Sequence, residues 1–595
     1  MSALKTIVHY ADFCVVGGGL AGLCAAVAAA RHGARVVLMQ DRPMLGGNAS
    51  SEVRMWISGA NGWDNRETGL LEELTLENQY RNPLKNYSIW DSVLYGMARG
   101  EKNLTLLLNC SCLDAAVEQG RIQSVTGWQT TTQRFQRVVA PLFADCSGDS
   151  ILVPLTGAAY RQGREAAREF GEHIAPENAD RKTMGMSCLM QARELDGDTP
   201  FIAPAWAEKV RTEQLHYREP DMTDVRENFW YLELGGDRDS IGDTEQLRDE
   251  LVPLAYGMWD YLKNDPSQCE KNRHWALDWV GMLPGKRESR RYVGPCIVTE
   301  HDVLAGGPFR DMVAYGGWTM DDHHPSGFRT SEPPNIFHPA PSPFGLPYRC
   351  LYSANVPNLF FAGRNISVTH TAFSAVRVMA TCALCGQAVG TAVALAAQLH
   401  GDPADVAVAE LQACLMEDDC YLPGFRRKIA PLTLVGEMTV NGVPVPALTD
   451  GVDRALGEET HQWRGKPGEY VCLRWSAPIH AGSLRLVFDS DLNRDTLTAA
   501  ERAIDNCMYC NIHRNMLPAY PPPTLIRSFD VTLMYADGHT ETLVRERNNY
   551  QRLRRYALER TDVTGLIFEP LTTWGAEDFR LFALEVQPSR KECRS

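Results

Sequence analysis

The spacing of apolar positions changes character along the chain. Residues 12–16 and 35–40 are short, nearly continuous apolar runs, and between them 20–32 is an Ala-rich stretch of helical length closed by Gly33. A continuous apolar run bounded by turn residues predicts a strand buried on both faces, so the segment reads as strand, helix, strand. Farther on, 104–109 predicts a strand. Residues 112–118 and 122–130 predict a hairpin around Gly120, and 135–144 is another strand-like run. Two uncharged stretches, 13–30 and 378–399, are long enough to span a bilayer. Both are rich in Gly and Ala, and the second carries Thr381, Gln387, Thr391 and Gln398, so they predict buried helices of a large core. After Gly424 the pattern shortens to alternating runs at 432–440, 470–475, 483–488, 528–535, 540–544, 565–569 and 581–586. Asn441-Gly442 and Asp537-Gly538 punctuate them. These are hairpin signals, and seven or eight short strands predict a β-sandwich.

Composition narrows the function classes. The 595 residues hold 59 Lys and Arg against 74 Asp and Glu, a net charge of −15. An acidic chain lacks the broad cationic footprint of a nucleic-acid binder. The 17 cysteines are odd in number, without a regular spacing, and residues 1–13 show no apolar run followed by a small-residue cleavage site. Free thiols in a cytoplasmic protein are the expectation. Self-association into a homo-oligomer is left open.

The first turn carries chemistry. Gly17-Gly18-Gly19-Leu20-Ala21-Gly22 has the form G-x-G-x-x-G between a strand and a helix. Gly17 permits the tight turn, Gly19 lets backbone approach a pyrophosphate, and Gly22 lets helix and strand pack closely. The helix N-terminus offers free N–H groups to phosphates. At the end of the second strand, where an acid commonly meets the ribose, stands Gln40 with Asp41 next. Either can serve.

Further segments carry a resemblance. Gly46-Gly47 follows the second strand, Asp145-Cys146-Ser147-Gly148-Asp149 forms a later turn, and Asn358–Arg364 precedes an apolar helix holding Gly386 and Gly390. In these the chain resembles the glutathione-reductase-like FAD superfamily. Longer stretches at 45–55, 65–71, 163–176, 229–236, 284–294, 317–323 and 362–390 are similar to one branch of it, the bacterial FAD-dependent oxidoreductases. The resemblance implies an α/β FAD-binding fold with an inserted α+β cap, followed by the β-sandwich, jelly-roll-like in form. The expected boundaries are 1–165 and 346–425 for the FAD domain, 166–345 for the cap and 426–595 for the sandwich. It implies FAD held by Gly17, Gly19, Gly22, Gln40, Asp41, Arg42, Gly46, Gly47, Asn48, Asp149, Gly363 and Arg364, and a reaction with a polar small molecule.

Within the cap, Pro284–Arg291 packs four cations and one acid into eight residues. It reads as an internal salt-bridge ladder or as donors for a ligand through Arg290 and Arg291. Gly317–Pro325 brings Trp318, Asp322, His323 and His324 together, the composition of a polyol or sugar pocket. His370 is the leading catalytic candidate. The resemblance places it by the isoalloxazine, and a neutral imidazole suits removal of a hydroxyl proton. Arg377, two helical turns on, and His323 complete the catalytic expectation, with Arg54 added for substrate by resemblance. Hydride transfer from a carbohydrate or polyol hydroxyl is expected. Reduction of a conjugated C=C bond and a glycan-binding protein with an inert flavin are the alternatives. Cys382-x-x-Cys385 reads as packing before redox chemistry, and Cys507-x-x-Cys510-x-x-His513 could start a zinc site only if a fourth ligand, such as Cys593, came from elsewhere in the chain. No resident metal is expected.

Overall fold

Strands Phe13–Val16, Val36–Met39, Leu104–Leu107, Leu142–Asp145 and Leu359–Phe361 form one parallel sheet. Their order is 359–361, 142–145, 13–16, 36–39, 104–107. Four of them, all but the edge strand Leu104–Leu107, are buried at every position, which is why they read as unbroken apolar runs. This computed structural model describes residues 4–497 and 508–589.

The run at 135–144 is two strands rather than one. Arg134–Val139 joins a separate four-stranded sheet with Thr6–Tyr10, Arg121–Gln129 and Cys110–Glu118, while Leu142–Asp145 enters the parallel sheet. Pro141 lies at the break and has no N–H to continue a ladder. The hairpin expected around Gly120 is present.

The two long apolar stretches are core helices. Helix Leu20–Arg31 packs on helix Met379–Leu399, which is long and apolar enough to cross a membrane but has 89% of that window buried inside the protein. A Cβ on Gly386 would collide with the carbonyl of Ala21, and one on Gly390 with that of Ala25. The glycines bring the two backbones together, as the small residues of a close helix crossing do.

The chain divides into two compact units. One comprises Met1–Asn61, Leu84–Gln412 and Ile504–Pro518, the other Gly62–Pro83, Ala413–Ala503 and Ala519–Ser595. In the first, the cap builds short sheets around helix Thr244–Asn264, with Phe229, Leu232, Leu254 and Trp259 at the centre of its core. Asn511–Ile512, expected as part of a helix or loop between C-terminal strands, is a strand of that cap sheet, parallel to Ala192–Arg193. Two residues carry too little periodicity for such a pairing to be read in advance.

The second unit is an eight-stranded, all-antiparallel sheet. Leu473, Leu486, Phe529, Leu566 and Leu584 are fully buried in its core. Asn441 and Gly442 both have positive φ, as a two-residue hairpin turn requires. The runs at 470–475 and 483–488 are one strand, Val471–Phe488, whose register shifts three times against Leu553–Thr573. Such bulges bend a long strand without ending it.

Candidate active site

The loops at the C-terminal ends of the parallel strands surround a cavity of about 540 Å³. Gly17 has φ +102, and a Cβ there would lie 2.5 Å from the backbone of Cys146. At Gly22 a Cβ would collide with the carbonyl of Gly17, so the helix can start this close to the strand only with glycine. Gly19 differs. A Cβ there would meet no protein atom nearer than 4.0 Å, and the residue lines the cavity. Gly46 N–H donates to Gly18 carbonyl at 2.9 Å, tying the second glycine turn, with Gly46 and Gly47 both at positive φ, against the first. The helix from Leu20 has no side-chain cap, so its first N–H groups are free for an anion.

The cavity charges fit a dinucleotide. Arg42, Lys286, Arg287, Arg290, Arg364 and Arg377 line it against Asp41, Glu52, Asp149 and Glu245. That excess of two cations matches the two negative charges of a pyrophosphate. Asp149 accepts from Lys286 Nζ at 2.7 Å, Arg364 Nη2 at 2.7 Å and Ser289 Oγ at 2.9 Å. Burial alone would raise its pKa, but Arg364 and Lys286 hold it below the ordinary carboxylate range. Asn48 lines the cavity and donates to Lys286 carbonyl at 3.0 Å, and Gly363 lines it as well. Gln40 accepts from Gly18 N–H at 2.7 Å and donates to Met44 carbonyl at 3.2 Å, so its amide is used by the protein's own backbone. The half-exposed Asp41, 3.4 Å from Arg42, leaves its carboxylate to the cavity.

The two cation-rich cap motifs interlock as two buried ladders. In the first, Arg287 pairs with Glu233 at 3.3 Å, and Glu233 meets His323 Nδ1 at 2.6 Å. His323 Nε2 faces Asp321 at 3.3 Å, and Asp321 holds Arg377 at 2.9 Å. In the second, Asp322 faces His370 Nε2 at 3.3 Å, and Glu288 faces His370 Nδ1 at 3.0 Å. Glu288 pairs with Arg291, and Arg291 with Glu165 at 2.9 Å. Neighbours in sequence enter different ladders because side chains of the strand Met320–His323 alternate between faces. Glu165 also accepts the His370 N–H at 2.8 Å, and Glu172 accepts the hydroxyl of Thr369, the helix cap before His370, at 2.5 Å.

The ladders settle the protonation state of His370. Burial opposes a charged ring, but Glu288 and the hydrogen bond to Asp322 outweigh it and raise the pKa to about 10. At neutral pH the ring already carries its second proton. The neutral imidazole expected from the sequence is therefore corrected: the charges that make it an imidazolium come from segments 48 and 82 residues away.

Of the candidates, Arg290 and Arg377 line the cavity, whereas His323, His370, Asp322, Arg291, Trp318 and Arg54 do not. Arg54 sits at φ +61, stacks 4.3 Å over Trp279 and donates to Gln191, fixing the loop that presents Met55 and Trp56. Trp56 was not singled out from sequence. Its loop is held by Ala380 N–H to Ser58 carbonyl at 3.0 Å and Asn61 N–H to Gly317 carbonyl at 2.9 Å. Its indole N–H, like Nε of Arg364 and of Arg377, is buried without an acceptor. A Trp directly after the glycine-turn motif was the available signal. Glu165, Glu172 and Glu233 were likewise inside quoted stretches but unassigned.

Cys382 lines the cavity, yet burial raises its pKa to about 12, and burial also pushes the Cys385 thiol well above the ordinary range, so neither is a poised thiolate. Cys507 and Cys593 lie outside the described residues. Among the described residues no group of three or more His, Cys, Asp or Glu is placed to hold a metal ion.

The chain is similar in part to several solved structures. A geranylgeranyl bacteriochlorophyll reductase-like protein from Thermoplasma acidophilum is 13% identical over 69% of this chain and 84% of its own, with a TM-score of 0.31. The family 32 carbohydrate-binding module of Streptococcus pneumoniae EndoD is 12% identical over 26% of this chain and 97% of its own, with a TM-score of 0.19. No curated protein matches the chain. The family described as FAD dependent oxidoreductase matches residues 12–415, and with the glycine cradle and balanced cavity charges in place, the chain belongs to that family, an FAD-dependent oxidoreductase.

Proposed function

We propose that the enzyme oxidises a hydroxyl of a carbohydrate or polyol at the end of the cavity bounded by Trp56, Arg287 and Arg377. The observation that carries the reading is the pair of buried donors without acceptors on Trp56 and Arg377. Such donors call for a ligand rich in oxygen. FAD, when bound, supplies the two-electron acceptor. The glycine turns and Asp149 hold it, and the N-terminus of helix Met379–Leu399 offers positive potential. His370, already protonated, cannot take the substrate's proton. His370 does not line the cavity and acts as a support that holds Asp322 and Glu288 in the second ladder. The finer fold reading, a glutathione-reductase-like FAD domain with a jelly-roll sandwich that packs or binds glycan, belongs to the same proposal, as does a cytoplasmic location.

Anaerobic addition of a panel of sugars and polyols to the yellow holoenzyme tests this. Bleaching by a member of the panel is expected. A panel that leaves the flavin oxidised overturns the reading. A second reading, reduction of a conjugated C=C bond, is favoured by one feature, a protonated His370 behind an arginine pair. Reoxidation of chemically reduced enzyme by enones would select it.

A further inference from the structure

The first ladder has a property that its role as a support leaves unused. Its two ends, Arg287 and Arg377, both line the cavity, and its middle, His323, touches neither cavity nor arginine. Each arginine is held by one carboxylate, and His323 holds both carboxylates, so the spacing of two cationic forks is fixed by one buried ring. Arg377 engages only Nη2, with Asp321, and its Nε–H is buried without an acceptor. Around this end the lining segments at 53–58, 187–189, 283–287 and 377–382 contribute no acidic side chain. A pocket for neutral hydroxyls needs acceptors as well as donors, because each hydroxyl also donates. A wall with two arginines and no acidic side chain is matched best by an anionic group that only accepts.

We propose that the substrate carries a carboxylate, as a sugar acid does, and that Arg377 receives it with Arg287 beside it while His323 acts as the positioning residue for both. The inference rests on the carbohydrate reading and narrows it. A planar guanidinium meets a carboxylate through two charge-assisted hydrogen bonds, and Nε with one Nη is a geometry that makes them. His323 never meets the ligand. Its effect is on where the forks stand.

The test uses the flavin-loaded enzyme and two pairs of probes, D-gluconate against sorbitol and D-glucuronate against D-glucose. The half-saturating concentration is read from perturbation or bleaching of the flavin bands. The acids are expected to saturate at least ~10-fold lower than their neutral partners, the scale of a hydrogen bond to a charged group. Arg377→Gln is expected to lower the preference for each acid over its neutral partner at least ~10-fold, with Arg377→Lys recovering part of that preference. His323→Gln is expected to weaken the acids selectively at unchanged flavin content. A merely structural loosening would weaken acid and neutral probes alike, and that outcome overturns the proposal. So does equal saturation by acid and neutral probes in the unaltered enzyme, a measurement that needs no variant. Arg377→Gln losing flavin in place of acid selectivity would assign the arginine to the cofactor, again against the proposal. Selective perturbation by the acids without bleaching by any probe would sink the oxidation reading and leave the carboxylate site standing.

Discussion

The molecule buries arginine–carboxylate networks in both units, and they are finished differently. In the C-terminal unit Arg427 pairs with Asp453 at 3.2 Å and Glu585 at 2.5 Å, Arg485 with Asp453 at 2.9 Å, and Arg552 with Asp419 at 2.8 Å. None of these residues lines the cavity, and carbonyls of Glu417 and Phe488 take up further N–H groups. Around the cavity, Arg377 has one carboxylate partner and Arg290 none, and both face the cavity. The same residue types thus form a closed knot in one place and an open one in the other. The first faces no cavity and can only hold the fold, whereas the second presents hydrogen-bonding groups to a ligand. Buried ion pairs as such say little about function. Arg427 Nη2 and Arg485 Nη1 are buried without an acceptor as Arg377 Nε is, so what separates the two networks is that only one of them lines the cavity.

The largest expected effect breaks the closed knot. Asp453→Ala leaves Arg427 and Arg485 short of a buried partner and is expected to destabilise the C-terminal unit by ~3–5 kcal/mol. Thermal or denaturant unfolding of that unit measures it. Burial alone would raise the Asp453 pKa, but Arg485 and Arg427 lower it to about 2. A carboxylate whose folded pKa is depressed stabilises the fold above its unfolded pKa and loses that contribution as pH falls through the folded value. Unfolding free energy is therefore expected to fall by about 2 kcal/mol between about pH 4 and 2. The Asp453→Ala variant is expected to lack that part of the slope. A variant that kept it would place the acid sensitivity elsewhere.

The second ladder is intermediate, and its dependence on pH has the opposite sign. His370 is raised to about 10, so its stabilisation is complete below the unfolded pKa near 6.5 and lost as pH rises through 10. The stability of the first unit is expected to fall by up to ~5 kcal/mol across that window. In His370→Asn the slope is expected to vanish. A slope unchanged in the variant would mean that the ring is neutral in the folded protein.

What the sequence disclosed follows from how local each constraint is. The tight turns were legible because positive φ at Gly17, Gly46 and Gly47, and at Asn441-Gly442, is a demand made within a few residues. The division of 135–144 was legible too, at Pro141, to a reading that weighed it. The ladders were not. Glu233 and His323 are 90 residues apart, and nothing in the spacing of 317–323 says that Asp321 and Asp322 point into different networks. Because His370 takes its charge state from Glu288 and Asp322, a reading of 367–372 alone assigned it a neutral ring. For the stretch 284–291 the sequence left an internal ladder and a set of ligand donors as alternatives; in the structure Arg291 is internal, Arg290 lines the cavity, and Arg287 lines it while pairing with Glu233.

The smallest effect concerns Gln40, a closed polar contact on the cavity side, where the comparison would otherwise place only open ones. Its carbonyl oxygen accepts from Gly18 and its amide donates to Met44. Gln40→Glu keeps the acceptor for Gly18 N–H but sets a carboxylate oxygen against the Met44 carbonyl in place of a donor. The loss of one hydrogen bond costs about 1 kcal/mol. An increase of ~5-fold in the FAD dissociation constant is expected, with no change in the half-saturating concentration of substrate. If Gln40 instead served the ribose directly, the longer-established choice of an acid there would make Gln40→Glu bind FAD more tightly. A titration of apoprotein with FAD, followed by quenching of flavin fluorescence, separates the two, since a strut and a ligand predict changes of opposite sign.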